Sequence, residues 1–224
     1  MELLVVTLAH SRAGSETEGQ SQIRMISSTV RSAPGLLTAR FYSSNLGHDQ
    51  YYLMLTTWED EEAWQKARER ADPRQLYQNA AGRILVSPPE QWRMHYLWGY
   101  NRPAASATLV AALLTTTRPD KAEYIQKNWM ESLHRQAAQP MLASAFLARG
   151  VNENAMLPIS ARSTPSNGKM GAESPYHQGS IFLNLLSWTN EADREAFYAD
   201  PGYQGIYRLL GNLGAVQALT LEAL

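Results

Sequence analysis

Residues 3–12 read LLVVTLAHSR and residues 109–118 read LVAALLTTTR, so an apolar strand followed by a basic turn recurs at an offset of 106, from position 3 to position 109. The repeat continues through the next helix, where Pro34 pairs with Pro140 at the same offset. It then steps: Trp58 in LMLTTWEDEEAW pairs with Trp188 in LNLLSWTNEADR at an offset of 130, and Asp72-Pro73 pairs with Asp200-Pro201 at 128. The second copy therefore carries an insertion, placed at 152–178. Self-similarity on this scale constrains architecture more than any local propensity. It divides the chain into two units, 1–105 and 106–224, each of a size that can bury a core.

Each copy spells the same order of elements. In the first, Leu3 to Ala9 reads as a strand and Gln20 to Ala33 as a helix with Ile23, Ile26 and Val30 on one stripe, stopped by Ala33-Pro34-Gly35. Leu37 to Tyr42 and Gln50 to Trp58 form a hairpin around Ser43 to Asp49, followed by a helix from Glu59 to Arg70. Asp72-Pro73 is an N-cap with proline at the first helical position. Trp92 to Tyr100 closes the unit, with Trp92, Met94, Tyr96, Trp98 and Tyr100 expected on one face and His95 on the other. The second copy repeats this with a strand from Leu109, a helix from Lys121 bearing Ala122, Ile125, Trp129 and Leu133, strands Leu142 to Arg149 and Ile181 to Trp188, and the Asp200-Pro201 cap.

The pattern predicts an α+β fold of two tandem ferredoxin-like βαββαβ repeats. Ile181 to Trp188 is apolar on both alternating sets, so that strand is buried on both faces. The two copies are thus expected to pack sheet to sheet as an intramolecular α/β barrel.

Composition narrows the function. The formal net charge is -1 with no long Lys/Arg run, which argues against nucleic acid as a partner. There is no cysteine, hence no thiolate nucleophile or cysteine metal site. His10, His48, His95, His134 and His177 occur singly, without metal-ligand spacing, so no metal is expected. No stretch approaches the length of a membrane span, and the expected protein is soluble and cytoplasmic. The insertion 152–178, rich in Ser, Pro, Asn and Gly, reads either as a lid over the second unit's pocket or as a disordered segment.

A strand ending in Trp, an acidic helix start and a downstream Asp-Pro, as in Trp58-Glu59-Asp60-Glu61-Glu62-Ala63-Trp64 with Ala71-Asp72-Pro73, resemble the antibiotic biosynthesis monooxygenase family of dimeric α+β barrels. The chain looks like a fused pair of them. The resemblance implies oxidation of an electron-rich phenol, quinol or anthrone in a pocket between sheet and helices, lined by an Asn and a Trp four apart. Asn184 and Trp188 match that spacing, whereas the first copy has Met54 before Trp58. The candidate catalytic residues are therefore Asn184 and Trp188, with His95 as general base. Trp58, Met54, Trp64, Trp129, Tyr207 and Arg208 are the candidate substrate-binding residues.

No resident cofactor is expected, although relatives that consume reduced flavin make flavin a second co-substrate to consider. The expected partners are a small aromatic substrate and O2, with a flavin reductase where flavin is used. A homodimer of fused pairs is left open. Two alternatives stand beside this reading: a non-catalytic small-molecule-binding barrel, and a haem-degrading monooxygenase. The last would need an axial histidine that neither 74–79 nor 203–208 supplies.

Overall fold

The computed structural model describes residues 1–46, 49–103, 105–151 and 179–224. The insertion 152–178, with His177, and the loop residue His48 lie outside the described residues. The elements are β1 (Leu3–Ser11), α1 (Glu16–Arg31), β2 (Leu36–Leu46), β3 (Asp49–Trp58), α2 (Glu61–Ala71), α3 (Pro73–Ala81) and β4 (Glu90–Asn101) in the first half. The second half repeats them as β5 (Leu109–Thr117), α4 (Pro119–Ala137), β6 (Ser144–Gly150), β7 (Ser180–Trp188), α5 (Glu191–Ala199), α6 (Pro201–Leu213) and β8 (Gly214–Ala223).

All eight strands form one closed barrel in the order β1-β3-β2-β8-β5-β7-β6-β4. Each half contributes four neighbouring strands in the ferredoxin-like order, and the halves meet at two seams, β2 with β8 and β4 with β6. Closure removes the sheet edges that a lone four-stranded unit would expose. The expected pairing of two bare sheet faces is thus realised as a barrel whose interior is filled by Leu4, Val6, Leu53, Leu55, Leu183 and Leu185, among others.

The helices cover the outside, and local sequence explains their limits. Gly35 takes φ 78, a left-handed value that ends the approach from α1 and lets the chain turn into β2. The helix expected from Glu59 starts at Glu61, because the Asp60 carboxylate accepts from the Ala63 amide at 2.8 Å and acts as the cap. Asn190 does the same for α5 through Asp193 at 2.9 Å. Both Asp-Pro expectations hold: Asp72 accepts from the Arg74 amide and Asp200 from the Tyr203 amide, each at 2.9 Å with proline in the first turn.

One expectation fails. The register between β4 and β6 shifts between Tyr96 and Trp98, so the aromatic residues of β4 do not share a face. Trp92 and Met94 enter the barrel interior, while Leu97, Trp98 and Tyr100 pack against the helix-side core of the second half. A bulge inserts one extra residue and reverses the alternation beyond it.

Candidate functional site

Alternation along β7 sends Ile181, Leu183 and Leu185 into the barrel and Phe182, Asn184, Leu186 and Trp188 toward the helices. Asn184 and Trp188 are both 0% exposed, in a layer shared with Leu113, Ile125, Trp129, Leu133 and Phe197. The Asn184 amide nitrogen donates to the Phe146 carbonyl at 2.8 Å, which fixes the orientation of the amide. Its Oδ1 is then left facing the layer with no partner among the described residues, and neither has the Trp188 indole N–H. Trp188 sits in an aromatic group, 5.5 Å from Phe197 and 5.4 Å from Tyr198 between ring centroids. The strand therefore presents one acceptor and one donor to the same apolar layer.

The first half is an internal control. Trp58 occupies the position of Trp188, yet its indole N–H donates to Thr56 Oγ1 at 3.0 Å. Leu186 stands in the place of Thr56, so Trp188 loses that partner. Met54, wholly buried in an apolar cluster, stands in the place of Asn184. Two residues that sequence reasoning passed over complete the contrast. Thr115 Oγ1 and both amide atoms of Gln136 are buried without partners, where the 106-residue offset puts Ala9 and Val30 in the first half.

Their placement is coherent. Thr115 pairs with Phe182 across β5 and β7, two residues from Asn184. Gln136 lies on the buried stripe of α4 with Trp129 and Leu133, and Trp129 stands 6.1 Å from Phe182. Buried polar groups are almost always hydrogen-bonded in native proteins, because an orphan costs its desolvation. These four residues of the second half are matched by apolar or satisfied residues in the first.

The other candidates are scattered. His95 sits on β4 opposite Arg149 of β6, and that residue in turn pairs with Phe182 of β7, so two strand spacings separate His95 from β7. Its Nδ1 has no partner among the described residues. Trp64 stacks at a tilt 5.2 Å from Trp58 in the first half, remote from Asn184 in sequence order and in cluster. Tyr207 is 40% exposed, 6.0 Å from Tyr203, and Arg208 is exposed beside it on α6. Burial pushes the Tyr198 and Tyr203 phenols up, so both stay protonated donors. Asp72, in the first half, is the one charged side chain among the fully buried described residues. Among the described residues no carboxylate base therefore stands buried inside the second layer.

A cavity in the barrel wall lies elsewhere, at the mouth lined by Leu4, Arg40, Leu55, Tyr96 and Phe146, among others. Among the described residues there is no group of three or more His, Cys, Asp or Glu that could hold a metal, and no helix long and apolar enough to cross a membrane.

Residues 4–78 match the family model described as antibiotic biosynthesis monooxygenase. No curated protein matches the chain. Among solved structures, it is similar to an anthrone oxidase-like protein at 12% identity, covering 100% of this chain and 91% of that one with a TM-score of 0.68. It is also similar to a candidate monooxygenase from Fusobacterium nucleatum subsp. nucleatum at 8% identity, covering 100% and 92%, with a TM-score of 0.67. A candidate monooxygenase from Lactobacillus acidophilus gives 10% identity, 99% and 93% coverage, and a TM-score of 0.62. At these identities the likeness is one of fold along nearly the whole length. The likeness to that family's model is thus confined to residues 4–78 of the first half, and the second half is built on the same plan of elements.

Proposed function

We propose that the chain is a monooxygenase acting on a neutral, electron-rich polycyclic phenol, quinol or anthrone in the sheet–helix layer of its second half. The observation that carries this reading is the pair Asn184 and Trp188, wholly buried and each with an unused polar atom, beside a first half in which the same positions are apolar or satisfied.

The residues suit the chemistry. The substrate enol or phenol loses a proton and passes one electron to O2, giving a substrate radical and superoxide that combine at carbon. The resulting hydroperoxide loses water to leave a carbonyl. One oxygen atom stays in the product, the other leaves as water, and the substrate supplies every electron. The Trp188 N–H would donate to the oxyanion as charge develops, a role that gains weight in a dry layer. The Asn184 Oδ1 would accept from a substrate or peroxide hydroxyl, holding it in place. With no buried carboxylate in the layer among the described residues, the first deprotonation rests on the acidity of the substrate itself, its proton passing to solvent.

Labelled dioxygen tests the reading: turnover of an anthrone should place one labelled atom in the product carbonyl and one in water. Unlabelled product, or turnover that requires reduced flavin, would replace substrate-driven activation by another oxygen source or by a flavin-fed reaction.

A further inference from the structure

The two seams of the barrel are unequal. β4 and β6 pair from Met94 with Gly150 to Asn101 with Ser144, broken only by the register shift between Tyr96 and Trp98. β2 and β8 pair only at Tyr42 with Ala223 and Ser43 with Glu222, followed by a single bond from the Leu224 amide to the Phe41 carbonyl. Among the described residues, the stretch Leu36 to Arg40 therefore has β3 on one side and no strand on the other. At this gap a cavity of about 500 Å³ opens into the barrel, within the usual range for small-molecule sites.

Its chemistry is divided. Leu4, Leu55 and Leu185, nearly inaccessible to water, make the floor. Tyr96 and Phe146 make an aromatic wall, edge to face at 5.2 Å. Thr57 and Tyr96 share one hydrogen bond between their hydroxyls at 2.9 Å, so one of the two O–H groups remains free to donate. Arg40 projects from β2 as the register partner of Leu55, which sets a guanidinium beside the apolar floor. No carboxylate lies within ion-pair distance of Arg40 among the described residues. Glu2 also lines the rim, but the Tyr96 phenol, raised by burial, is lowered by Arg40 more than it is raised by Glu2.

We propose that this barrel mouth is a second ligand site, taking a small planar aromatic carboxylate whose anion pairs with Arg40 and whose ring lies over Leu55 against Tyr96 and Phe146. A planar carboxylate matches the guanidinium fork in a bidentate pair, and the apolar floor takes the ring face. The site is independent of the oxygenase reading. Leu185 lines it from inside the barrel, while Asn184, the next residue on β7, faces the helices. The two sites stand back to back across one sheet.

Isothermal titration of the full chain with 2-naphthoate, and with 2-naphthalenemethanol as its neutral counterpart, tests the assignment. Naphthoate should bind, Arg40→Gln should weaken it by about tenfold or more, and Arg40→Lys should weaken it less. The neutral alcohol should bind wild type and Arg40→Gln within about threefold of each other. Arg40 is exposed, so these variants should fold, and their melting curves check this. Trp188→Phe, which keeps the bond from Asn184 to the Phe146 carbonyl, should leave naphthoate binding intact. The assignment is overturned by absence of naphthoate binding at millimolar concentration, by equal affinity of wild type and Arg40→Gln, or by loss of binding in a folded Trp188→Phe variant, which would move the ligand to the sheet–helix layer.

Discussion

Trp58 donates its indole N–H to Thr56 Oγ1 at 3.0 Å, and this bond is what the second half gives up by carrying Leu186 at the matching position. Thr56→Val keeps the shape of the side chain and removes the acceptor. The variant should lose about 1 to 3 kcal/mol, the cost of a buried donor left unpaired. Urea denaturation reads that loss, and oxygen uptake should stay at the wild-type rate because the proposed site lies in the second half.

Asn184→Met installs in the second half what the first half holds. It removes the unpaired Oδ1 and also the bond to the Phe146 carbonyl, so opposing terms leave the stability change within about 1 kcal/mol. Turnover should fall by about 100-fold, the order of loss when a contact that positions the reacting group is removed. A drop in kcat with intact folding is the expected pattern. Loss of activity that merely follows a loss of folded protein would assign Asn184 a packing role.

Gln136 is 2% exposed with both amide atoms unpartnered among the described residues. Gln136→Leu should therefore raise stability by about 1 to 3 kcal/mol, visible as a higher melting temperature, and should raise KM. A stabilised variant with unchanged kinetics would show that the amide does not meet substrate.

Burial holds the Glu90 carboxyl up at about 7 against an ordinary 4.5. The folded state binds this proton more tightly than the unfolded chain, so the contribution to stability is full below about pH 4.5 and is lost as pH rises through 7. Partial solvent access leaves on the order of 1 to 2 kcal/mol of the full effect. Glu90→Gln should flatten the stability profile between pH 4.5 and 7 and be the more stable form at pH 7.5, measured by denaturant titration at each pH.

Much of this arrangement is legible in the chain. The offsets of Leu3 with Leu109 and Trp58 with Trp188 give the two-copy plan, the Asp-Pro pairs give two helix starts, and the doubly apolar β7 gives burial on both faces. The shift after Tyr96 is not legible, because a bulge changes facing without changing composition. Nor is the orientation of the Asn184 amide, which depends on a carbonyl of the neighbouring strand. Thr115 and Gln136 left a signal that went unused: at the 106-residue offset they replace Ala9 and Val30, polar for apolar at core positions. His95 looked placed for proton transfer in its aromatic run, but strand order sets it two strands from β7.

The most direct test is oxygen uptake by the purified chain against anthrones, naphthoquinols and hydroxylated polycyclic ketones, with and without reduced flavin, for wild type and Asn184→Met in parallel. Uptake by wild type without flavin, reduced about 100-fold in a folded Asn184→Met variant, is the expected result. No uptake with any substrate under either condition, or equal rates in the two proteins, would contradict an oxygenase site at Asn184 and Trp188.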